Sequence, residues 1–455
     1  MKCSSETSPT RPAAASRREF LQTSGRVAAA SALAGVTVPC CHAAGDNAIR
    51  LALVGCGNRG SGAVADAFAA TGGPVKLYAM ADVFDNRQRG SHERLKKMFG
   101  NQVDVAPERM FLGFDAYKKA IDCLRPGDVA MLTTPAAFRP LHFEYAVQKG
   151  VNVFMEKSFA VDPPGVRRML QAVGVSERKN LKVAAGFMWR HSRGREEVIR
   201  RIHDGAIGDV YTLRIYRVHG PGGHCAPLPK GANELAFQLQ HPFSFNWTSG
   251  GFFVDWHCHN VDVACWAKND WPISAQGMGG RCYPSAGNNF DHYTVEYTFA
   301  DGAKLFAFSR HMVNCWQTYA DYAHGSRGSA LIMAALGQPK PKIYKSQRMT
   351  EDQVVWKYEE NEPNPYHVEW QLLLDAIRQN KPHNEGRRAA QADLVALMGR
   401  TAVHTGKLVT LEETEKSNFQ YVADIDRMTF DTPAPLKAGP DGIYACPLPG
   451  FTKEG

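Results

Sequence analysis

The side chains best suited to chemistry fall in a few short stretches of this chain. The first is Gly55-Cys-Gly-Asn-Arg-Gly60, which follows the apolar run Ile49–Val54 and precedes an alanine-rich segment. That spacing marks a glycine loop between a strand and a helix. Gly55 permits the tight turn, Gly57 lets the backbone approach a pyrophosphate, and Gly60 allows the helix to pack close to the strand. Asn58 and Arg59 sit at the helix N-terminus, where backbone N–H groups face phosphates. Asp82 ends a second apolar run, 22 residues beyond Gly60. A carboxylate there accepts hydrogen bonds from the adenosine ribose and repels a 2′-phosphate, so the expected cofactor is NAD rather than NADP. Arg87 softens that preference.

Further on stand Thr134-Pro135, His142 and Glu156-Lys157-Ser158. A lysine cation beside a carbinol lowers the hydroxyl pKa and steadies developing alkoxide charge. Asp255 and His259 are spaced i, i+4, so on a helix they share one face. His259 is the candidate general base for a hydroxyl proton, and Asp255 would orient substrate or tune Lys157. The competing reading makes Asp255 a helix cap and His259 a core histidine. No metal is expected. His224, Cys225, His241, His257, Cys258, His259 and Cys265 are candidate ligands, but neighbours on a helix diverge by about 100°. His257-Cys258-His259 therefore does not converge on one ion, and no second paired motif completes a site.

With these motifs in place, residues 48–410 resemble the Gfo/Idh/MocA oxidoreductases. The resemblance rests on the glycine loop, Thr134-Pro135, Glu156-Lys157 and the Gly250-Gly251…Asp255…His259 element. It implies an NAD-dependent hydride transfer at a carbohydrate hydroxyl, with Lys157 between nicotinamide and substrate and with Asp255 and His259 projecting towards the ring. Thr134, Pro135, His142, Glu156 and Arg190 fall on the cofactor side, His191 on the substrate side. Two departures stand out. Ser158 replaces the family's proline, which should loosen the turn, and His257 replaces a glycine, which adds bulk or a polar group. Tyr216, His219 and His224 open a polar segment, 219–250, and are expected to line a sugar pocket.

Strands alternating with helices over residues 48–188 predict a parallel, doubly wound Rossmann sheet. Residues 189–432 read as an α+β substrate and dimerisation domain with a mostly antiparallel open sheet. Strands are expected at 273–281, 293–299, 304–309 and 317–323, and amphipathic helices at 365–379 and 389–405. A Pro- and Gly-rich tail runs from 433 to 455. The segment 219–250 has little periodicity, and such a loop inside a folded protein is usually functional.

Residues 1–43 read as a targeting signal. Arg17-Arg18 precede Phe20-Leu21 and an apolar stretch of small residues, the pattern of twin-arginine export. The expectation is a periplasmic protein that meets the export machinery and keeps no membrane anchor. A net charge of +8 without basic-aromatic clusters excludes nucleic acid as a partner. The cysteines outside the signal fit no disulfide framework and read mostly as buried free thiols. Because NAD is scarce outside the cytoplasm, a tightly bound cofactor carried out during export is expected. Three functions fit: a sugar oxidoreductase first, then a redox-neutral NAD-dependent glycosidase, then a non-catalytic NAD- or sugar-binding protein. Self-association through an exposed sheet face is expected.

Overall fold

Short apolar runs bounded by glycine and aspartate build the first sheet. Strands β1 (Ile49–Val54), β2 (Val75–Asp82), β3 (Met110–Leu112), β4 (Val129–Leu132), β5 (Asn152–Met155) and β6 (Val183–Ala185) pair in the order β3-β2-β1-β4-β5-β6. Every pairing is parallel. β1, β4 and β5 are buried on both faces, which is why they read as unbroken apolar runs. The order reverses between β1 and β4, and a ligand crevice opens at the carboxyl ends of strands at such a switch point. The computed structural model describes residues 47–334 and 340–454. The segment 1–43, with its arginine pair, lies outside the described residues.

The second sheet holds β7 (Val210–His219), β8 (Ser274–Gly280), β9 (His292–Thr298), β10 (Lys304–His311), β11 (Thr318–Gly325), β12 (Gly328–Ala334), β13 (Lys342–Tyr344), β14 (Val354–Lys357) and β15 (Val409–Thr410). Their order is β14-β13-β12-β11-β7-β10-β9-β8-β15, antiparallel throughout except for the parallel pair β7–β10. The expected fold class therefore holds. β3 and β12–β15 escape the sequence reading for physical reasons. β3, β13 and β15 are too short to show a period, and β12 is buried on both faces and so does not alternate.

One helix joins the two cores. Gly386–Thr405 is buried along almost its whole length. Its Ala389, Leu394 and Leu397 pack with the parallel sheet, and its Val395, Met398 and Val403 pack with the second sheet. The tail is tied down rather than free. The N–H of Tyr444 donates to the Ala286 carbonyl, and the Glu454 carboxylate meets His404 at 2.9 Å. Among the eight described cysteines, only Cys56, Cys258 and Cys265 are fully buried, so the expectation of mostly buried thiols is corrected; all eight are unpaired.

The glycine loop has the backbone its sequence demands. Gly55 adopts φ +98°, and a side chain there would meet the Thr134 nitrogen at 2.7 Å. A Cβ on Gly60 would lie 2.2 Å from the Gly55 carbonyl oxygen. Only backbone movement relieves that contact. Gly60→Ala should destabilise the protein by about 1–3 kcal/mol in urea unfolding and weaken dinucleotide binding; an unchanged midpoint would contradict the close packing.

Candidate active site

The glycine loop, the end of β2, the Thr133–Ala136 turn and Glu156-Lys157 together line a cavity of about 680 Å³. Gly57 presents open space, with nothing within 4 Å of where a Cβ would stand. This leaves room for a pyrophosphate against the backbone. Asp82 lies on the same wall. Its carboxylate accepts from the Cys56 N–H at 2.6 Å and the Phe84 N–H at 2.9 Å. Burial pushes its pKa up, while those bonds and Arg87 pull it down. The residues present thus fit a dinucleotide: a glycine cradle, a helix N-terminus and an acid at the ribose end.

The other predicted cofactor residues sort into two groups. Asn58, Arg87, Thr134, Pro135 and His142 line the cavity. Thr134 Oγ1 lies 3.1 Å from His142 Nδ1, and burial together with Arg139 and Arg168 lowers the imidazole pKa to about 3. Arg59 also lines it, but its guanidinium is held by Glu156 at 2.6 Å and Asp66 at 2.9 Å. Arg190 is the correction. It grips Asp262 through Nε and Nη2 at 2.7 and 2.8 Å and lies over the Trp266 ring, away from the cavity wall. Its position after β6 gave it a cofactor role; a buried carboxylate took it instead.

The segment 219–250 supplies what the sequence left unmapped. Gly223, His224 and Leu239–Ser244 form the opposite wall of the dinucleotide cavity. Arg87 crosses it, donating from Nη2 to the Gln240 carbonyl at 2.8 Å. The wall is braced from behind, where Ala438 N–H donates to Glu234 at 2.7 Å and Gln238 Nε2 to the Leu436 carbonyl at 2.8 Å.

Lys157 sits where the cavity meets the second sheet. Its ammonium contacts the Asp255 carbonyl and lies 3.1 Å from Asp255 Oδ1. Burial works against the charge, but Asp255, Cys258 and Glu156 outweigh it, so Lys157 is held above the usual lysine range. The Lys157-Ser158 peptide is cis. Ser158 does not loosen the turn, contrary to expectation. It is fully buried, and its hydroxyl donates to the Val254 carbonyl at 2.8 Å. The next two backbone N–H groups, of Phe159 and Ala160, donate to Asp393 Oδ2 at 2.6 and 2.8 Å.

Asp255 falls in a π-turn, Phe253–His257, that leads into the helix Cys258–Lys268. The i, i+4 argument for Asp255 and His259 supposed regular α-helix there; π-turns are often found at functional sites. Asp255 Oδ2 and His259 Nδ1 are buried without partners. Burial, then Lys157, Arg217, Arg195 and Arg59, lowers the His259 pKa far below that of free imidazole. His259 is therefore neutral at physiological pH and able to accept a proton. His257 is fully buried with its ring edge on Phe253, and neither nitrogen has a partner.

Beyond Lys157 lies a cluster the sequence did not identify. Arg217 stacks on Tyr319 at 3.9 Å, and the Tyr319 hydroxyl accepts from Trp189 Nε1. Arg195 covers Trp189 at 3.8 Å, and Asp321 accepts from Asn260 at 2.6 Å. Arg195 Nε, Arg217 Nε, Asp321 Oδ2 and Asn260 Oδ1 are buried and unpartnered. Such orphaned donors and acceptors suit a polyhydroxylated ligand. A charged residue at an inward strand position was the only sequence signal. His219 shares this face, stacked on Trp256. Tyr216 does not. It points to the opposite face, stacked on Phe308 with its hydroxyl near Arg214, so its pocket role is corrected by strand alternation. His191 lies 3.3 Å from Glu385.

Burial raises the Asp321 carboxyl to about 7. An unfolded aspartate ionises near pH 3.9, so between about pH 4 and 7 the folded state holds the extra proton. Asp321 therefore costs stability as pH rises through that window, by up to about 1.4 kcal/mol per pH unit. Asp321→Asn should gain stability relative to the parent from pH 4 to 7 in chemical denaturation. A pH-independent difference would contradict the burial argument.

Comparison with known proteins adds to this geometry. Residues 196–331 match the family described as GFO/IDH/MocA C-terminal domain. An inositol 2-dehydrogenase of Pseudomonas fluorescens is 26% identical over 255 residues, 55% of this chain and 67% of that protein. One from Klebsiella pneumoniae is 29% identical over 160 residues, covering 34% of this chain and 40% of its own length. The structure of scyllo-inositol dehydrogenase from Lactobacillus casei with bound NAD(H) and scyllo-inositol shares the fold, with TM-score 0.58 and 20% identity over 80% of this chain and 99% of that one.

Proposed function

We propose that this chain is an oxidoreductase of the Gfo/Idh/MocA type, a reading supported by the match of residues 196–331 and the similarity to inositol 2-dehydrogenases, and that it oxidises a secondary hydroxyl of a cyclic polyol or sugar with NAD. The observation that carries this reading is the Lys157–Asp255 pair at the wall of a dinucleotide cavity, with neutral His259 close enough behind it to feel the Lys157 charge and with buried groups nearby that lack partners. The glycine cradle and Asp82 would hold the dinucleotide, and NAD, when bound, supplies a hydride acceptor. The protein's own residues do the rest. The Lys157 ammonium donates to the carbinol oxygen and steadies its negative charge as the proton leaves. His259 takes that proton. Asp255 keeps Lys157 charged and in place. Asp321, Asn260, Arg195 and Arg217 orient the remaining hydroxyls and displace water.

Two finer points belong to the same proposal. The wall formed by 223–244 supports a cofactor that stays bound through turnover. A resident cofactor must be returned to its starting state, by a second substrate or by a redox-neutral cycle. The glycosidase reading, in which a keto-sugar forms transiently, rests on that wall. Exposed Met278 and Trp316 support self-association through the second sheet.

Lys157→Ala and His259→Ala should each lower kcat/KM about 10²–10⁴-fold when inositols and aldoses are screened by NADH absorbance. Activity in the parent should hold well below pH 6.5 on the acid side, because His259 protonates only there. Unchanged turnover in Lys157→Ala would sink the assignment. Free sugar released without net NADH would favour the glycosidase.

We also read Arg17-Arg18 as directing export to the periplasm. Replacing both with lysine should leave the protein in the cytoplasmic fraction, with most of the periplasmic pool lost. An undiminished periplasmic pool would overturn that reading.

A further inference from the structure

A second group of polar side chains has no role in the proposed chemistry. His191 follows β6, Glu369 belongs to the helix Pro365–Arg378, and Glu385 immediately precedes the helix Gly386–Thr405. Each offers one ligand atom, and the three atoms lie within 4.8 Å of one another. We propose that His191, Glu369 and Glu385 bind a divalent cation of the Mn²⁺ or Zn²⁺ type.

Glu369 provides the decisive observation. It is 1% exposed, yet neither carboxylate oxygen has a hydrogen-bond partner. Leaving a carboxylate so placed is costly. Burial favours the protonated form, yet even then both oxygens stand without a partner in hydrogen-bond range. His191 Nε2 is in the same position. It stands 3.3 Å from Glu385 Oε1 without hydrogen-bond geometry and has no other partner. An ion with ligands at about 2.0–2.2 Å gives Glu369 and His191 a partner after an inward closure, with Glu385 as the third ligand. One imidazole and two carboxylates make a mixed nitrogen and oxygen set suited to Zn²⁺ or Mn²⁺.

The surrounding elements are fixed and charged in the way such a site needs. Glu385 is anchored by the Ala185 N–H, which donates to Oε2 at 2.9 Å, and by Arg388 at 2.9 Å. The charges acting on Glu369 are those of Glu385, Glu156 and Asp66 against Arg59. Arg59 is already shared between Glu156 and Asp66. Burial first, then those carboxylates, holds the Glu369 carboxyl well above the usual carboxylate range, and a divalent cation in contact with it would supply the counter-charge that stabilises the ionised form. The site would pin three elements together: the segment after β6 that carries Trp189 and His191, the helix that places Tyr366 over Arg59, and the helix joining the two cores.

The full-length protein, treated with EDTA and dialysed, is titrated separately with MnCl₂ and ZnCl₂, and bound metal is measured by plasma mass spectrometry. About one equivalent of at least one ion per chain is expected, with a rise in Tm. Glu369→Gln, which keeps the shape, and His191→Ala should each weaken binding at least tenfold while far-ultraviolet circular dichroism stays unchanged. Should Glu369→Gln fail to fold, His191→Ala reads the same contact. The proposal is overturned if neither ion binds the parent near one equivalent. It is also overturned if binding persists at parental affinity in a folded variant, which would move the ion to a site such as Cys282, Asp291 and His292.

Discussion

A partly buried lysine ammonium, held by a buried carboxylate, is the constraint around which this molecule is arranged. Lys157 leaves the end of β5 in the Rossmann half and finds Asp255 in the π-turn of the other half. Removing it from water is expensive unless a carboxylate stands beside it. The pair therefore acts only if both halves hold their relative position. Ser158, bonded to the Val254 carbonyl, and Asp393, bonded to two backbone N–H groups, provide that hold. Asp393 comes from the helix that packs into both cores, so the register of the site is set by the same element that sets the packing.

Electrostatics then divide the labour. The carboxylate that keeps Lys157 protonated does not protect His259, whose surroundings are cationic: Lys157, Arg217, Arg195 and Arg59 all disfavour imidazolium. Two basic residues in one small volume thus carry opposite protonation states. One is a donor and the other an acceptor, as moving a proton away from a carbinol requires.

The dinucleotide half was legible because its constraints are local. Glycines at 55, 57 and 60 act through their own backbone, and Asp82 is fixed by the length of one βαβ unit. The Lys157, Asp255 and His259 assignment was legible only through the resemblance of these motifs to a known family, since the chain carries no mark that residues about 100 apart meet. Arg190 and Tyr216 show the limits. Arg190 was placed by neighbourhood, and a buried aspartate 72 residues away decided its direction. Tyr216 was placed by nearness to His219, and strand alternation set the two on different faces. Arg217 and Asp321 went unnoticed because a lone inward charge in a strand resembles a surface residue until its neighbours are known.

The wall over the dinucleotide cavity carries a consequence for how the chain is made. Its helix Glu234–Gln240 is braced by Leu436 and Ala438, partners 198 and 204 positions later in the sequence. A ribosome adding about 5–20 residues per second leaves an interval of roughly 10–40 seconds in which the glycine cradle has been synthesised and its far wall has no backing. During translation the far wall of the cavity stands unbraced, and completion of the chain braces it. Ligand capture and polypeptide synthesis are thereby placed on the same clock.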